Sequence, residues 1–156
     1  MKSKVYIETT IVSYLVASPS RDVIQSAHQQ VTREWWARRS RFDLFVSRPV
    51  LAEAVRGDAP AAARRLEKLT GIPMLSIGRG TGALANTLLR TGALPPKARI
   101  DAVHVAIAAT NGMDYLLTWN LRHLANAAIR GKIEDACQSA GVRPPVICTP
   151  EELMEV

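Results

Sequence analysis

The chain has 156 residues, 47% hydrophobic and 22% charged, with a formal charge of +6. That composition suits a globular domain large enough to bury a core and excludes a disordered tail, and no apolar run reaches the roughly 18 residues of a membrane span. Cys137 and Cys148 have neither C-x-x-C nor metal-ligand spacing, so a reduced, cytoplasmic protein without cysteine-bound zinc is expected.

In chain order, residues 4–7 read as a buried strand that carries Glu8 at its end, and Thr9 or Thr10 can cap the short helix that follows. Residues 22–39 read as a helix, because Val23, Ala27, Val31 and Trp35 recur at four-residue steps. "FDLFVS", 42–47, is a second strand; Pro49 opens a helix along Leu51, Ala52 and Val55, which Gly57 ends. Residues 60–70 form another helix, "IPMLSI", 72–77, a short third strand, and 81–91 a helix stopped by Gly92 and "LPP". "GRGTG", 78–82, has neither P-loop nor Rossmann context and reads as a turn. An apolar helix covers 97–110, and "YLLT", 115–118, is the fourth strand. A long helix runs from about 121 to 139, "PVICT", 145–149, is the fifth strand, and "PEELMEV" is a closing helical turn. Short apolar strands alternating with helices predict one α/β domain over 1–156, in three layers around a central parallel sheet of about five strands.

In an open parallel sheet, ligands bind at the carboxyl ends of the strands. Glu8 follows the first strand, Glu53 lies on the helix after the second, Asn120 follows the fourth, and Asp101 opens the helix before it. Taken singly, a helix glutamate, an early-helix acid and an N-cap asparagine each have ordinary structural roles. Glu8, after an apolar strand, is the hardest to explain that way. Together the acids would repel one another unless a cation compensated. A hard ion such as Mg²⁺ or Mn²⁺ takes oxygen ligands, can activate a water and can stabilise charge building on a phosphoryl group. An acidic pocket in a basic protein, pI near 9.8, fits cleavage of a polyanion held by the surrounding arginines.

"VYIETTIVSYL", "SRPVLAEAV", "RIDAVHVAIAA" and "YLLTWNLRHLAN" resemble the four successive motifs of PIN domains, and "PPVICTPEELMEV" is similar to that family's last strand and helix. Within the family the chain looks like the VapC-type toxins of bacterial toxin–antitoxin pairs. The resemblance implies a PIN-like fold and a metal-dependent endoribonuclease, with Glu8, Glu53, Asp101 and Asn120 forming the catalytic and metal-binding set around Mg²⁺ or Mn²⁺. It also implies a homodimer, a cognate antitoxin and an RNA substrate, with no membrane partner. Glu8 stands where the family usually has aspartate, and neutral Asn120 and His123 stand where acids are often found. The alternative is a PIN-fold module with a weakened site that binds RNA or protein. A phosphatase or receiver-like domain is disfavoured, since "E-T-T" replaces a D-x-D nucleophile pattern.

Among lesser candidates, Thr9, Thr10 and Thr118 suit either capping or a phosphate oxygen. His104, one turn after Asp101, is expected as a satisfied core histidine, the alternative being a donor that reaches the pocket. His123 is a candidate to contact phosphate or help the metal, and His28 is expected at the surface. Trp119 either packs or stacks a base. Trp35-Trp36 are expected to mark core on one side and a partner surface on the other.

Overall fold

Val5, Tyr6 and Ile7 are completely buried, as a strand covered on both faces must be. In the computed structural model, which describes residues 1–154, this segment is β1 (Lys4–Ile7). It pairs in parallel with β2 (Asp43–Phe45) on one side and β3 (Tyr115–Leu117) on the other, and β4 (Val146–Cys148) completes the order β2-β1-β3-β4. The helices are α1 (Thr9–Val16), α2 (Val23–Ala37), α3 (Arg48–Ala54), α4 (Ala59–Leu69), α5 (Arg79–Arg90), α6 (Arg99–Thr110) and α7 (Ala127–Ser139). α1 packs on α2, α3 and α4, whereas α5 packs on α6 and α7. These two helix groups with the all-parallel sheet match the three-layer α/β/α architecture expected.

The sheet has four strands where about five were expected. In the segment 72–77 only Met74 bridges to Val46, through Val46 N–H to Pro73 C=O at 3.0 Å and Leu75 N–H to Val46 C=O at 2.8 Å. Pro73 has no N–H to extend the ladder, and Met74 and Ile77 are exposed, so the segment lacks the covered faces that make a strand. Two helix starts also differ. α7 begins at Ala127, because the Asn126 side chain accepts the Ala128 N–H at 2.9 Å and competes with continuation of the helix backwards. Residues 121–124 instead form a turn closed on the carbonyl of Asn120. "GRGTG" is not a free turn: α5 starts inside it, with Thr81 Oγ1 accepting the Gly78 N–H at 3.3 Å. The closing segment makes a turn through residue 154, and its last two residues lie outside those described.

One apolar cluster runs through Tyr6, Ile11, Trp35, Leu84, Leu88, Ile107 and Leu116. Trp35 stacks on Phe42 at 5.5 Å between ring centres, and Trp36 is buried as well, under the Arg39 guanidinium at 4.8 Å. The tryptophan pair therefore belongs wholly to the interior, contrary to its expected division between core and partner surface. Cys137 and Cys148 are free and buried, and burial pushes their thiols up to about 11 and about 12. Among the described residues, no helix is long and apolar enough to cross a membrane.

Candidate metal centre

The strand order changes direction at β1, which has its successor β2 on one side and β3 on the other. The crevice of such a sheet opens outside the carboxyl ends at this point. Ile7 pairs with Leu117, so the residues that follow, Glu8 and Thr118, emerge side by side. Glu8 occupies the N-cap position of α1 in extended backbone, yet its side chain makes no cap bond. Its Oε1 instead accepts the hydroxyls of Thr10 and Thr118, each at 2.5 Å. Glu8 is only 3% exposed. Burial raises its pKa, against the opposing pull of His104 and the two threonines.

Glu53, on the second turn of α3, comes to the same place from the other side. Its Oε1 accepts Thr9 Oγ1 at 2.8 Å and lies 2.6 Å from His104 Nε2. Burial pushes its pKa up, but the hydrogen bond and charge of His104, the Thr9 hydroxyl and the charge of Arg56 outweigh burial and leave it lowered. His104 is wholly buried on α6, with Nδ1 2.7 Å from the Tyr6 hydroxyl, which in turn lies 2.5 Å from Ser47 Oγ. Burial raises the Tyr6 phenol well above its ordinary value. Glu8, Glu53 and His104 each offer a ligand atom within 4.8 Å of the others, the one such group among the described residues.

Asp101 and Asn120 form a second group beside the first. Asp101, in the first turn of α6, accepts Asn120 Nδ2 on Oδ1 at 3.1 Å, and its Oδ2 lies 3.1 Å from His123 Nδ1. Asn120 Oδ1 accepts the backbone N–H groups of Arg122 and His123 at 3.2 and 3.0 Å. Asn120 therefore caps the turn after β3 and holds Asp101 with its remaining amide hydrogens. Its own N–H donates to Thr118 Oγ1 at 2.9 Å, and Thr118 donates to Glu8, so one hydrogen-bond path joins the two groups. Of the four expected residues, the structure brings Glu8 to Glu53 and Asp101 to Asn120. His104 takes the third place beside Glu8 and Glu53, and Asp101 is outside that group. The sequence signal for His104 was its one-turn spacing from Asp101 on a shared helix face.

Trp119 is packed. Its Nε1 donates to Thr32 Oγ1 at 2.7 Å, His28 stacks on its ring at 4.0 Å, and the Tyr14 ring meets it obliquely, 60° out of plane. His28, expected at the surface, is half-buried by this stacking. Neither a protein-family model nor a curated protein matches the chain.

The donor set fits a hard divalent cation. Glu8 is a buried carboxyl group that hydrogen-bonds two hydroxyls and lies near His104, and no Lys or Arg ion pair reaches it among the described residues. A charge so placed is costly unless compensated. Atoms on opposite sides of an octahedral ion with bonds of about 2.0–2.1 Å lie about 4.2 Å apart. Ligand oxygens of Glu8 and Glu53 already within 4.8 Å of each other would need only a small closure to reach that spacing.

Proposed function

We propose that this protein is a metal-dependent endoribonuclease of PIN-like type, with Glu8 and Glu53 holding Mg²⁺ or Mn²⁺. The observation that carries the reading is Glu8 itself, a carboxyl group buried beside Glu53 at the carboxyl edge of a parallel sheet, where burial outweighs the pull of His104 and the threonines. Thr10 and Thr118 fix the orientation of Glu8, and Thr9 does so for Glu53. Asp101, kept at the rim by Asn120 and His123, would accept hydrogen bonds from waters that such an ion retains. Exposed Arg122, anchored through its backbone to Asn120, holds the RNA phosphate near the site. A bound divalent cation would supply charge stabilisation and a water acidic enough to act as nucleophile. The ordered resemblance to PIN-domain motifs supports RNA as the substrate, and a toxin role with a homodimer and a cognate antitoxin belongs to the same proposal.

One observation favours the second reading, a binding module. Asn120 and His123 already occupy both oxygens of Asp101, leaving two carboxylates for the ion. Purified protein incubated with structured and single-stranded RNA, with Mn²⁺ or EDTA, separates the two. Metal-dependent cutting that disappears in Glu8→Gln is the expected result. Salt-sensitive RNA binding without cutting would establish the module instead.

A further inference from the structure

Two N-cap residues with a side-chain oxygen leave their caps unmade. Ser47 precedes α3 as Glu8 precedes α1, and neither side chain makes the capping hydrogen bond of its helix. Serine is among the best capping residues, so its diversion calls for a reason. Ser47 Oγ reaches the Tyr6 hydroxyl, Tyr6 reaches His104 Nδ1, and His104 Nε2 ends on Glu53 Oε1. Ser47, Tyr6 and His104 are all fully buried, so each must be satisfied by the next.

The protons in this chain can be assigned. An ionised Glu53 only accepts, so the nitrogen 2.6 Å from it carries the hydrogen: His104 donates through Nε2–H. Nδ1 then meets a hydroxyl, which both donates and accepts, and Ser47 behind it adopts the complementary role. The Tyr6–Ser47 pair can therefore answer Nδ1 with or without a proton, while the bond to Glu53 keeps its direction. Thr9 and His104 both bond Oε1, and no hydrogen bond falls on Glu53 Oε2 among the described residues.

We infer that His104 is a positioning residue for the cation site: with Tyr6 and Ser47 behind it, it pins Oε1 of Glu53 so that Oε2 is presented to the metal. Metal sites commonly orient a ligand through an outer hydrogen-bond partner, and here the imidazole plays that part for a carboxylate. The inference rests on the nuclease reading above and departs from the simpler view of His104 as a nitrogen ligand.

The test uses the full chain as wild type, His104→Leu, His104→Gln and His104→Asn. Mn²⁺ affinity is read by electron paramagnetic resonance, folding by thermal melting, and nitrogen coordination by pulsed resonance on the Mn²⁺-loaded protein. The folded Leu variant is expected to bind Mn²⁺ about 10- to 100-fold more weakly, the usual range for loss of an outer partner. Gln places an amide nitrogen near the Nε2 position and should recover most of that loss. Asn places its nitrogen near Nδ1 and should not, which keeps the test intact if the Leu variant fails to fold. Wild type should show no directly coordinated nitrogen. Equal Mn²⁺ affinity across the folded variants, with only melting altered, would reduce His104 to a packing role and overturn the inference. Directly coordinated nitrogen in wild type would make it a ligand and overturn it too. Wild type without any Mn²⁺ affinity would remove the nuclease reading itself, a result distinct from both.

Discussion

Glu8 and Asp101 stand at the same edge of the sheet, joined through Thr118 and Asn120, but their charges are handled differently. Asp101 is partly exposed and has an amide on one oxygen and an imidazole on the other. Glu8 is sealed in and has hydroxyls on one oxygen, with Glu53 and His104 close by. Solvent and local partners suffice for the outer carboxylate. On the proposed reading, a bound cation would complete the compensation of the inner one. Two acids that look alike in the sequence thus divide into one buried among hydroxyls and one held at the rim by an amide and an imidazole.

Glu8→Gln tests this division most severely. RNA cleavage should fall by on the order of 10²–10³, the scale of losing one preorganised group where charge develops. A variant that still cuts at the wild-type rate would erase the distinction. Next in size is the effect of metal on unfolding. Mn²⁺ at about 100 times its dissociation constant should stabilise wild type by about 2.7 kcal/mol. Thermal melting should show most of this retained in Asp101→Asn and none in Glu8→Gln; equal loss in both would mean a single undivided site.

The pH response separates the two inner acids. Burial raises the Glu8 pKa above the ordinary 4.5. Its contribution to stability is therefore full below that pH and is lost as pH rises through the folded value. Glu53 is lowered, so its contribution is present above 4.5 and is lost as pH falls through its folded value. Metal-free wild type should accordingly lose stability relative to Glu8→Gln as pH climbs from 4.5 towards neutrality, and Mn²⁺ should close the gap. Denaturant melts at several pH values would show it; parallel curves would mean that Glu8 is not the strained group.

Two smaller changes sharpen the picture. Thr118→Val keeps the shape but removes the hydroxyl that links the groups. It should cost about 0.5–3 kcal/mol in a denaturant melt, the range for a hydrogen bond to a neutral or a charged partner. His123→Gln, at the partly exposed outer pair, should cost about 1 kcal/mol or less and leave Mn²⁺ affinity unchanged.

Much of the fold could be read along the chain because local chemistry specifies it. The buried run at Val5–Ile7, the four-residue spacing in α2 and the glycines that close helices act over a few residues. The reading failed where a longer-range condition decided. "IPMLSI" has strand-like residues, but Pro73 and an uncovered outer face reduce it to a single bridge. The helix expected from 121 gives way to a turn because Asn120 and Asn126 both bond the backbone locally. Trp119 is adjacent to Asn120 in sequence, yet Thr32 and His28 from α2 close around its ring.

By itself the sequence determined the alternation of strands and helices, and it placed an acid or amide after β1, on α3, at the start of α6 and after β3. Those features follow from side-chain periodicity and capping, which act within a turn or two. Only the tertiary structure decided that Glu53 would meet Thr9 and His104, 44 and 51 residues away, and that Asp101 would turn to Asn120 and His123. Such meetings depend on the order β2-β1-β3-β4 and the register of its strands. Many sequences share the same local pattern, but the strand order selects which side chains emerge together at the crevice.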